Sequence, residues 1–153
     1  MKQQRIPLAR LMAMAFRTQI DQLHATLEER GYHDARPAFG FVLLAADRRP
    51  CTINDVAELL GVSKQAASKL VAAMVDAKLV ALVSDAEDAR KKRIALASRG
   101  SALLAEVEAI YRQQEARWAR VVTRARLEAM RADLTAILLA EHEGALPAVK
   151  PTW

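Results

Sequence analysis

Residues 52–71 contain two short helical patterns joined by a glycine turn, and this unit constrains the fold more than any other part of the sequence. Thr52 followed by Asp55 is typical of a helix start, because a hydroxyl and a carboxylate at this spacing satisfy free backbone amides. Gly61 suits the left-handed conformation that ends a helix, and Ser63 suits the N-cap of the next helix. The sequence therefore predicts a helix-turn-helix.

The second of these helices has a polar outer face on its first two turns. Its buried face is predicted from apolar residues at helical spacing, which are Ala67, Leu70, Val71, Met74 and Val75. The outer face and the cap consist of Ser63, Lys64, Gln65, Ser68 and Lys69. Gln pairs with adenine, Lys donates to guanine or phosphate, and Ser reaches either, so these residues are candidate DNA contacts. The alternative is an ordinary helix pair with a polar exterior, since short motifs also match by chance.

A hairpin pattern follows the second helix directly. Residues 79–84 are apolar and partly β-branched, residues 93–96 alternate in polarity, and the segment between them is charged. The basic residues of this hairpin, which are further candidate DNA contacts, are Arg90, Lys91, Lys92 and Arg93. Asp88 lies two residues before Arg90, on the same side of an extended backbone, where an ion pair would orient the guanidinium. The alternative is a solvated loop of mixed charge.

The order of these features resembles the multiple-antibiotic-resistance regulator (MarR) family of winged helix-turn-helix transcriptional regulators. The resemblance spans essentially the whole chain and is carried by Leu59-Leu60-Gly61-Val62-Ser63, by Asp85-x-x-Asp88-x-Arg90, and by Leu96 shortly before Gly100. It implies that the helix after Ser63 reads the major groove of DNA. It also implies that Arg90, oriented by Asp88, enters the minor groove. The family often has Leu-Thr after the hairpin, whereas this sequence offers Ser98 as the helix cap.

The segments on both sides of this unit are predicted to be helical. A long amphipathic helix is expected up to Gly31, a central buried helix over residues 39–46, and two more helices after Ser98, the last of them capped by Thr123. We therefore expect a mainly α fold with a small β-hairpin wing, in one compact chain. Its predicted parts are dimerisation helices at 1–35 and 123–153, a winged helix-turn-helix domain at 36–98, and a long connecting helix at 99–122.

The terminal helices carry apolar stripes that need a partner surface. One stripe runs from Leu8 to Leu27 and the other from Leu127 to Leu138. A homodimer through these helices accounts for the stripes, and the family resemblance implies the same, while the alternative is packing of all helices into one bundle. Two-fold symmetry doubles the contacts of a short recognition helix, so double-stranded DNA with a palindromic operator is the expected partner.

Composition agrees with a DNA partner and argues against several other classes of protein. The net charge is +5, which suits phosphate, and the aromatic content of 5% argues against stacking of single strands. There is no apolar run of membrane-spanning length and no signal-peptide pattern, so we expect a cytoplasmic protein without a membrane partner.

Other chemistry is sparse in this sequence. His24, His33 and His142 have no second His or Cys at helical spacing, and there is no phosphate loop or nucleophile motif, so we expect no metal, no cofactor and no enzyme. Cys51 is the one cysteine, and a packed, inert thiol is the favoured interpretation. A redox-responsive regulator that uses Cys51 is the alternative.

The resemblance also implies a small-molecule effector between the dimer helices and the DNA-reading unit, often an aromatic acid or another lipophilic compound. Candidate effector contacts are Phe16, Arg17, His24, Phe39, Phe41 and Trp118, with Arg117 as another partner for a carboxylate. The alternative is that the aromatic residues belong to the core. The expected function is a DNA-binding transcriptional regulator, by default a repressor, that the effector releases from DNA. Its rivals are a nonspecific architectural DNA-binding protein and a helical module that binds other proteins.

Overall fold

The computed structural model describes residues 5–151 and confirms a mainly α fold with one hairpin. The elements follow in the order α1 (Leu8–Glu29), α2 (Pro37–Arg48), α3 (Ile53–Leu60), α4 (Lys64–Asp76), β1 (Val80–Ser84), β2 (Lys92–Leu96), α5 (Ser98–Val122) and α6 (Arg124–Glu141). The two strands form an antiparallel sheet in which Leu82 pairs with Ile94.

The helix-turn-helix forms as its local sequence predicts. Thr52 and Asp55 make a reciprocal capping box, in which the Thr52 hydroxyl accepts from the Asp55 amide at 3.1 Å and the Asp55 carboxylate accepts from the Thr52 amide at 2.8 Å. Gly61 ends α3 with a φ of 64°. The Ser63 hydroxyl then accepts from the Ala66 amide at 3.1 Å and starts α4.

The hairpin is attached to the start of this unit by main-chain hydrogen bonds. The Cys51 amide donates to the Ile94 carbonyl at 3.0 Å, and the Ile94 amide donates to the Cys51 carbonyl at 2.7 Å. Ile94 is fully buried. The base of the hairpin is therefore fixed against Cys51, the residue before the N-cap of α3, and this sets the position of the charged tip relative to α4.

The core lies around α2, the predicted central buried helix. Phe39, Val42, Leu43 and Ala46 are all buried there. They belong to one cluster with side chains of α3, α4, the hairpin and α5, which include Val56, Leu60, Val71, Met74, Leu79, Val80, Ile94, Leu103 and Ile110. The helix begins at Pro37, two residues before the predicted start, because proline is well tolerated in the first helical turn.

The sequence predicts the cap of α6 correctly but not the cap of α5. Thr123 caps α6, and its hydroxyl accepts from the Arg126 amide at 3.4 Å. The prediction that Ser98 caps α5 is wrong, because Ala97 occupies the N-cap and Ser98 is the first helical residue. Ala97 is held instead by the rest of the fold, since its amide donates to the Leu79 carbonyl at 3.0 Å.

The terminal helices keep most of their apolar residues in solvent. The buried residues are Leu23 and Leu27 in α1 and Leu127 in α6. The exposed ones on the two helices are Leu8, Leu11, Met12, Met14, Phe16, Met130, Leu134, Ile137 and Leu138. We call these nine residues the terminal apolar stripe. A bundle formed within one chain does not account for it, because the chain folds and leaves the stripe uncovered.

A helix that crosses a membrane must be both long and strongly apolar. Within residues 5–151 no helix meets both requirements.

Candidate nucleic-acid interface

The outer face of α4 is exposed along its first two turns, as the sequence predicted. Ala67, Val71 and Met74 turn inward and are buried. The exposed side chains on the other side are Lys64, Gln65, Ser68 and Lys69. The face therefore offers two cations, an amide and a hydroxyl on one rigid helix, which are the groups that contact base edges and phosphates.

A network of backbone hydrogen bonds shapes the tip of the hairpin. The Asp85 amide donates to the Lys91 carbonyl at 3.0 Å, and the Lys91 amide donates to the Asp88 carbonyl at 3.0 Å. The Asp88 carboxylate accepts from the backbone amide of Arg90 at 3.0 Å. This contact corrects the expected ion pair, because Asp88 orients Arg90 through its backbone and not through its guanidinium.

The ion pair of the hairpin joins Asp85 and Arg93. The Arg93 Nε donates to an Asp85 carboxylate oxygen at 2.7 Å, and the Glu87 amide donates to the other oxygen at 2.9 Å. The Glu87 amide and the Arg93 guanidinium lower the pKa of Asp85, in that order of importance. Sequence reasoning did not single out Asp85 for pairing, although the hairpin register, which places Val83 opposite Arg93, could have identified it.

The remaining basic residues of the hairpin lie at its tip and at the start of β2. Arg90, Lys91 and Lys92 are exposed, and the Lys92 ammonium lies 3.4 Å from the Ser84 hydroxyl. Arg90 and Lys91 have no ion pair with any residue in the described range 5–151. Of the four basic candidates, Arg93 is thus held at the base of the tip, while Arg90 and Lys91 are available to an external anion.

The candidate effector residues do not converge on one site. Phe16 is exposed on the terminal apolar stripe, and Phe39 is buried in the core. Arg17 pairs with Asp21 at 2.9 Å on the α1 surface, and Arg117 donates to Gln22 at 2.8 Å. Trp118 is half-buried on α5.

Two of the candidate effector residues have more specific surroundings. His24 is half-buried, and burial lowers its pKa against the opposing effect of a hydrogen bond with the Ala35 backbone. Phe41 lines a cavity of about 350 Å³ between α2, α3 and residues 148–150, together with Leu44, Leu59, Arg48 and Arg49. The size of this cavity is within the range of small-molecule sites.

Cys51 is packed at the junction between α2 and the hairpin. Its side chain is buried, and burial raises the pKa of its thiol, with Asp55 adding to the effect and Arg49 opposing it. Since the thiolate is the reactive form, these surroundings favour the packed thiol over the redox-responsive alternative. Within the described residues, no three His, Cys, Asp or Glu side chains stand close enough to hold a metal ion.

These features define the class of protein. A helix-turn-helix with an exposed polar second helix, followed by a hairpin that is hydrogen-bonded to the residue before its first helix cap, is a winged helix-turn-helix. Residues 41–91 match the model of the MarR family. The matched segment, about a third of the chain, includes the helix-turn-helix and most of the hairpin, so this part of the chain is similar to MarR-family proteins.

Solved structures resemble the fold along most of its length. RV1404 from Mycobacterium tuberculosis has a TM-score of 0.72 at 21% identity, covering 94% of this chain and 95% of that chain. A mutant of Staphylococcus aureus MepR bound to an oligodeoxyribonucleotide has a TM-score of 0.61 at 24% identity, covering 89% and 99%. MepR bound to ethidium bromide has a TM-score of 0.60 at 24% identity, covering 88% and 96%. Similarity at these identities establishes the fold alone. A search of curated proteins finds no match.

Proposed function

We propose that this chain is a cytoplasmic transcriptional regulator that binds a palindromic operator as a homodimer. We propose further that it acts as a repressor and that a small molecule releases it from DNA. The observation that carries the proposal is the exposed pair of DNA-reading elements: the outer face of α4 and the free cations of the hairpin tip, held in one rigid unit. A groove reader needs such a pair, because one element specifies bases while the other fixes orientation.

The assignment of individual residues follows from exposure and chemistry. Lys64, Gln65, Ser68 and Lys69 are assigned to the major groove, and Ser63 supports them by capping the helix. Arg90 is assigned to the minor groove, where narrow A/T-rich sequence attracts arginine, and Lys91 and Lys92 are assigned to phosphates. Asp88 and Arg93 shape the hairpin that presents them.

The homodimer is proposed from the terminal apolar stripe. Single exposed apolar residues are normal on a monomer, whereas nine of them on two helices of one chain are typical of an interaction surface. A second copy of the chain carries the same stripe. When two copies pair through α1 and α6 about a two-fold axis, each covers the stripe of the other. This arrangement assigns residues 1–35 and 123–153 to dimerisation, although residues 1–4 and 152–153 lie outside the described range.

An effector is proposed from the likeness of the fold to MepR and from the cavity beside Phe41. The MepR structure with ethidium bromide shows that a protein of this fold takes up an aromatic molecule. In this chain the effector would release DNA only to the extent that it binds the DNA-free conformation more tightly than the DNA-bound conformation. Phe41 and the cavity that it lines are the first place to search.

The proposal is tested by binding the purified protein to DNA from upstream of its own gene and to a scrambled duplex of the same composition. We expect the protein to prefer an inverted repeat and its affinity for DNA to fall as the salt concentration rises. Sedimentation should show two protein chains bound to each operator duplex. Salt-dependent binding without a preferred sequence would favour the architectural alternative, and no DNA binding would favour the protein-binding module.

Gln65→Ala is expected to reduce the preference for the operator more than it reduces nonspecific binding. A bidentate contact to a base contributes about 1–3 kcal/mol of discrimination, which the alanine variant loses. Fluorescence anisotropy with operators varied one base pair at a time measures the effect. An equal loss on all sequences would mean that Gln65 contacts only the DNA backbone.

Arg90→Ala is expected to weaken operator binding by about tenfold or more, because a hydrogen bond to a charged group contributes about 1.5–3 kcal/mol. The fold should be unaffected, since the side chain is exposed. Arg112→Ala, which removes an exposed arginine of α5, is the matched control and should leave binding unchanged. Unchanged operator binding by Arg90→Ala at physiological salt would contradict the minor-groove assignment.

A further inference from the structure

Arg99, in the first turn of α5, makes contacts with two distant segments of the chain. Its two terminal nitrogens donate to the two carboxylate oxygens of Asp34, each at 3.0 Å. One of them also donates to the Ala77 carbonyl at 2.7 Å. The guanidinium lies over the ring of Tyr32, 5.7 Å from its centroid. A single side chain thus joins the connection between α1 and α2 to the end of α4.

The contact with Ala77 fixes the end of the proposed recognition helix. Ala77 is the C-cap of α4, where helix carbonyls lack partners and a cation is favoured. The chain then turns through Lys78, at a φ of 60°, and the Leu79 amide returns to the Met74 carbonyl at 2.9 Å. Arg99 therefore binds the one turn that connects α4 to the hairpin.

The contacts with Tyr32 and Asp34 connect the same side chain to α1. The Tyr32 amide donates to the Leu27 carbonyl of α1 at 2.9 Å, so this residue moves with the end of that helix. The Ala35 amide donates to the Tyr32 carbonyl at 3.2 Å, which ties the connection together up to α2. Since α1 carries five of the nine residues of the terminal apolar stripe, Tyr32 and Asp34 connect that helix to Arg99.

The exposure of this pair shows that it is not chiefly a stability element. The side chains of Arg99 and Asp34 are 36% and 46% exposed, and ion pairs at such exposure contribute little to the free energy of unfolding. Their hydrogen bond lowers the pKa of Asp34, so its carboxylate stays ionised, and able to pair with Arg99, to a lower pH than an ordinary aspartate. A bidentate arginine contact contributes orientation, because its planar fork fixes both partners.

We propose that Arg99 is a positioning residue, which transmits the position of the α1–α2 connection to the C-terminal end of α4 and so sets the operator affinity. This inference rests on the proposed function, in which α4 reads DNA from a dimer joined through α1. Any effector or partner that moves Asp34 then changes the orientation of α4 without touching it.

The chain offers a matched control for this inference. Arg30, at the end of α1, is ion-paired with Glu106 of α5 and donates to Gln113 at 3.2 Å, so it also connects α1 to α5. The exposures of Arg30 and Glu106, at 34% and 29%, are close to those of Arg99 and Asp34. Among the described residues, Arg30 makes no hydrogen bond or ion pair with α4. Arg30→Ala therefore removes a similar ion pair and leaves the end of α4 in place.

The test compares operator and nonspecific DNA binding of the full-length wild type, Arg99→Ala, Asp34→Asn and Arg30→Ala. Arg99→Ala should weaken operator binding by about tenfold, within the usual range for coupling between sites, and leave nonspecific binding unchanged. Asp34→Asn should produce a smaller loss, since it leaves the bond to Ala77. Wild-type operator affinity in Arg99→Ala, or an equal loss in Arg30→Ala, would overturn the inference.

Amide hydrogen exchange of the free protein provides a readout that does not depend on DNA. Asp34→Asn should accelerate exchange at Lys78 and Leu79 by about tenfold relative to the wild type, because local opening there loses a restraint. Arg30→Ala should not accelerate it. If the wild type binds no DNA, the proposed function fails, while unchanged exchange at these two amides in Asp34→Asn contradicts the coupling itself.

Discussion

Gly100→Ala is expected to destabilise the protein by about 3 kcal/mol, at the upper end of the range for overpacking. Gly100 is buried in the first turn of α5, and a Cβ built there lies 2.0 Å from the Leu79 carbonyl oxygen and 3.3 Å from a methyl group of Leu43. The carbonyl is main chain and accepts from Ala97, so it cannot move without breaking the contact between α5 and the hairpin. Chemical denaturation at a fixed protomer concentration measures the loss.

Gly40→Ala is the matched control for this prediction. Gly40 lies inside α2, and a Cβ at this position meets nothing within 4 Å. Because alanine is the better helix former, this variant should stabilise the protein by about 0.5–1 kcal/mol. The two glycine-to-alanine changes should alter the free energy of unfolding in opposite directions. This difference separates the effect of a steric conflict from the effect of helix propensity. A Gly100→Ala variant as stable as the wild type would show that the first turn of α5 shifts at little cost.

Ile137→Glu is expected to convert the dimer into a folded monomer and to weaken operator binding by about a hundredfold, the lower end of the gain from joining two binding units. Ile137 is 50% exposed in the single chain, so a carboxylate there is solvated and the fold of the monomer persists. In the proposed dimer the same carboxylate enters an apolar interface, where an unpaired charge is costly. Sedimentation velocity and anisotropy on the same samples measure the two effects.

Ala136→Glu adds the same charge about 100° around the axis of α6, away from the stripe residues Met130, Leu134 and Ile137. It should remain dimeric and bind the operator as the wild type does. A dimeric Ile137→Glu variant would contradict the proposed interface. A monomeric variant with wild-type operator affinity would contradict the proposed two-fold reading of DNA, while leaving the interface in place.

The hairpin shows how far sequence reasoning reached at the candidate site. Its position, its strands and the charged tip could be predicted, because alternation and turn composition act over a few residues. The hydrogen-bond or ion-pair partner of each charged side chain could not be predicted. Asp88 turned out to bind the Arg90 amide, and the guanidinium that pairs with a carboxylate belongs to Arg93. That choice depends on strand register and on the fold of the tip, which place Asp85 beside a residue eight positions later.

The effector candidates illustrate the same limit. Aromatic residues at helical spacing do not reveal which side of a helix the tertiary structure covers, and here Phe16 is exposed while Phe39 is in the core. The cavity beside Phe41 is formed by segments about a hundred residues apart, including residues 148–150. No local pattern in the sequence brings these segments together.

The sequence by itself determined the helix-turn-helix, the hairpin and the polar face of α4. Each depends on capping, on glycine conformation or on periodicity, which are set by residues within one or two turns of each other. Only the tertiary structure decided that the terminal apolar stripe stays uncovered, that Gly100 touches a backbone carbonyl, and that Arg99 joins Asp34 to Ala77. The contacts of Gly100 and Arg99 join segments that are 21 to 65 residues apart, and packing of the whole chain sets those distances.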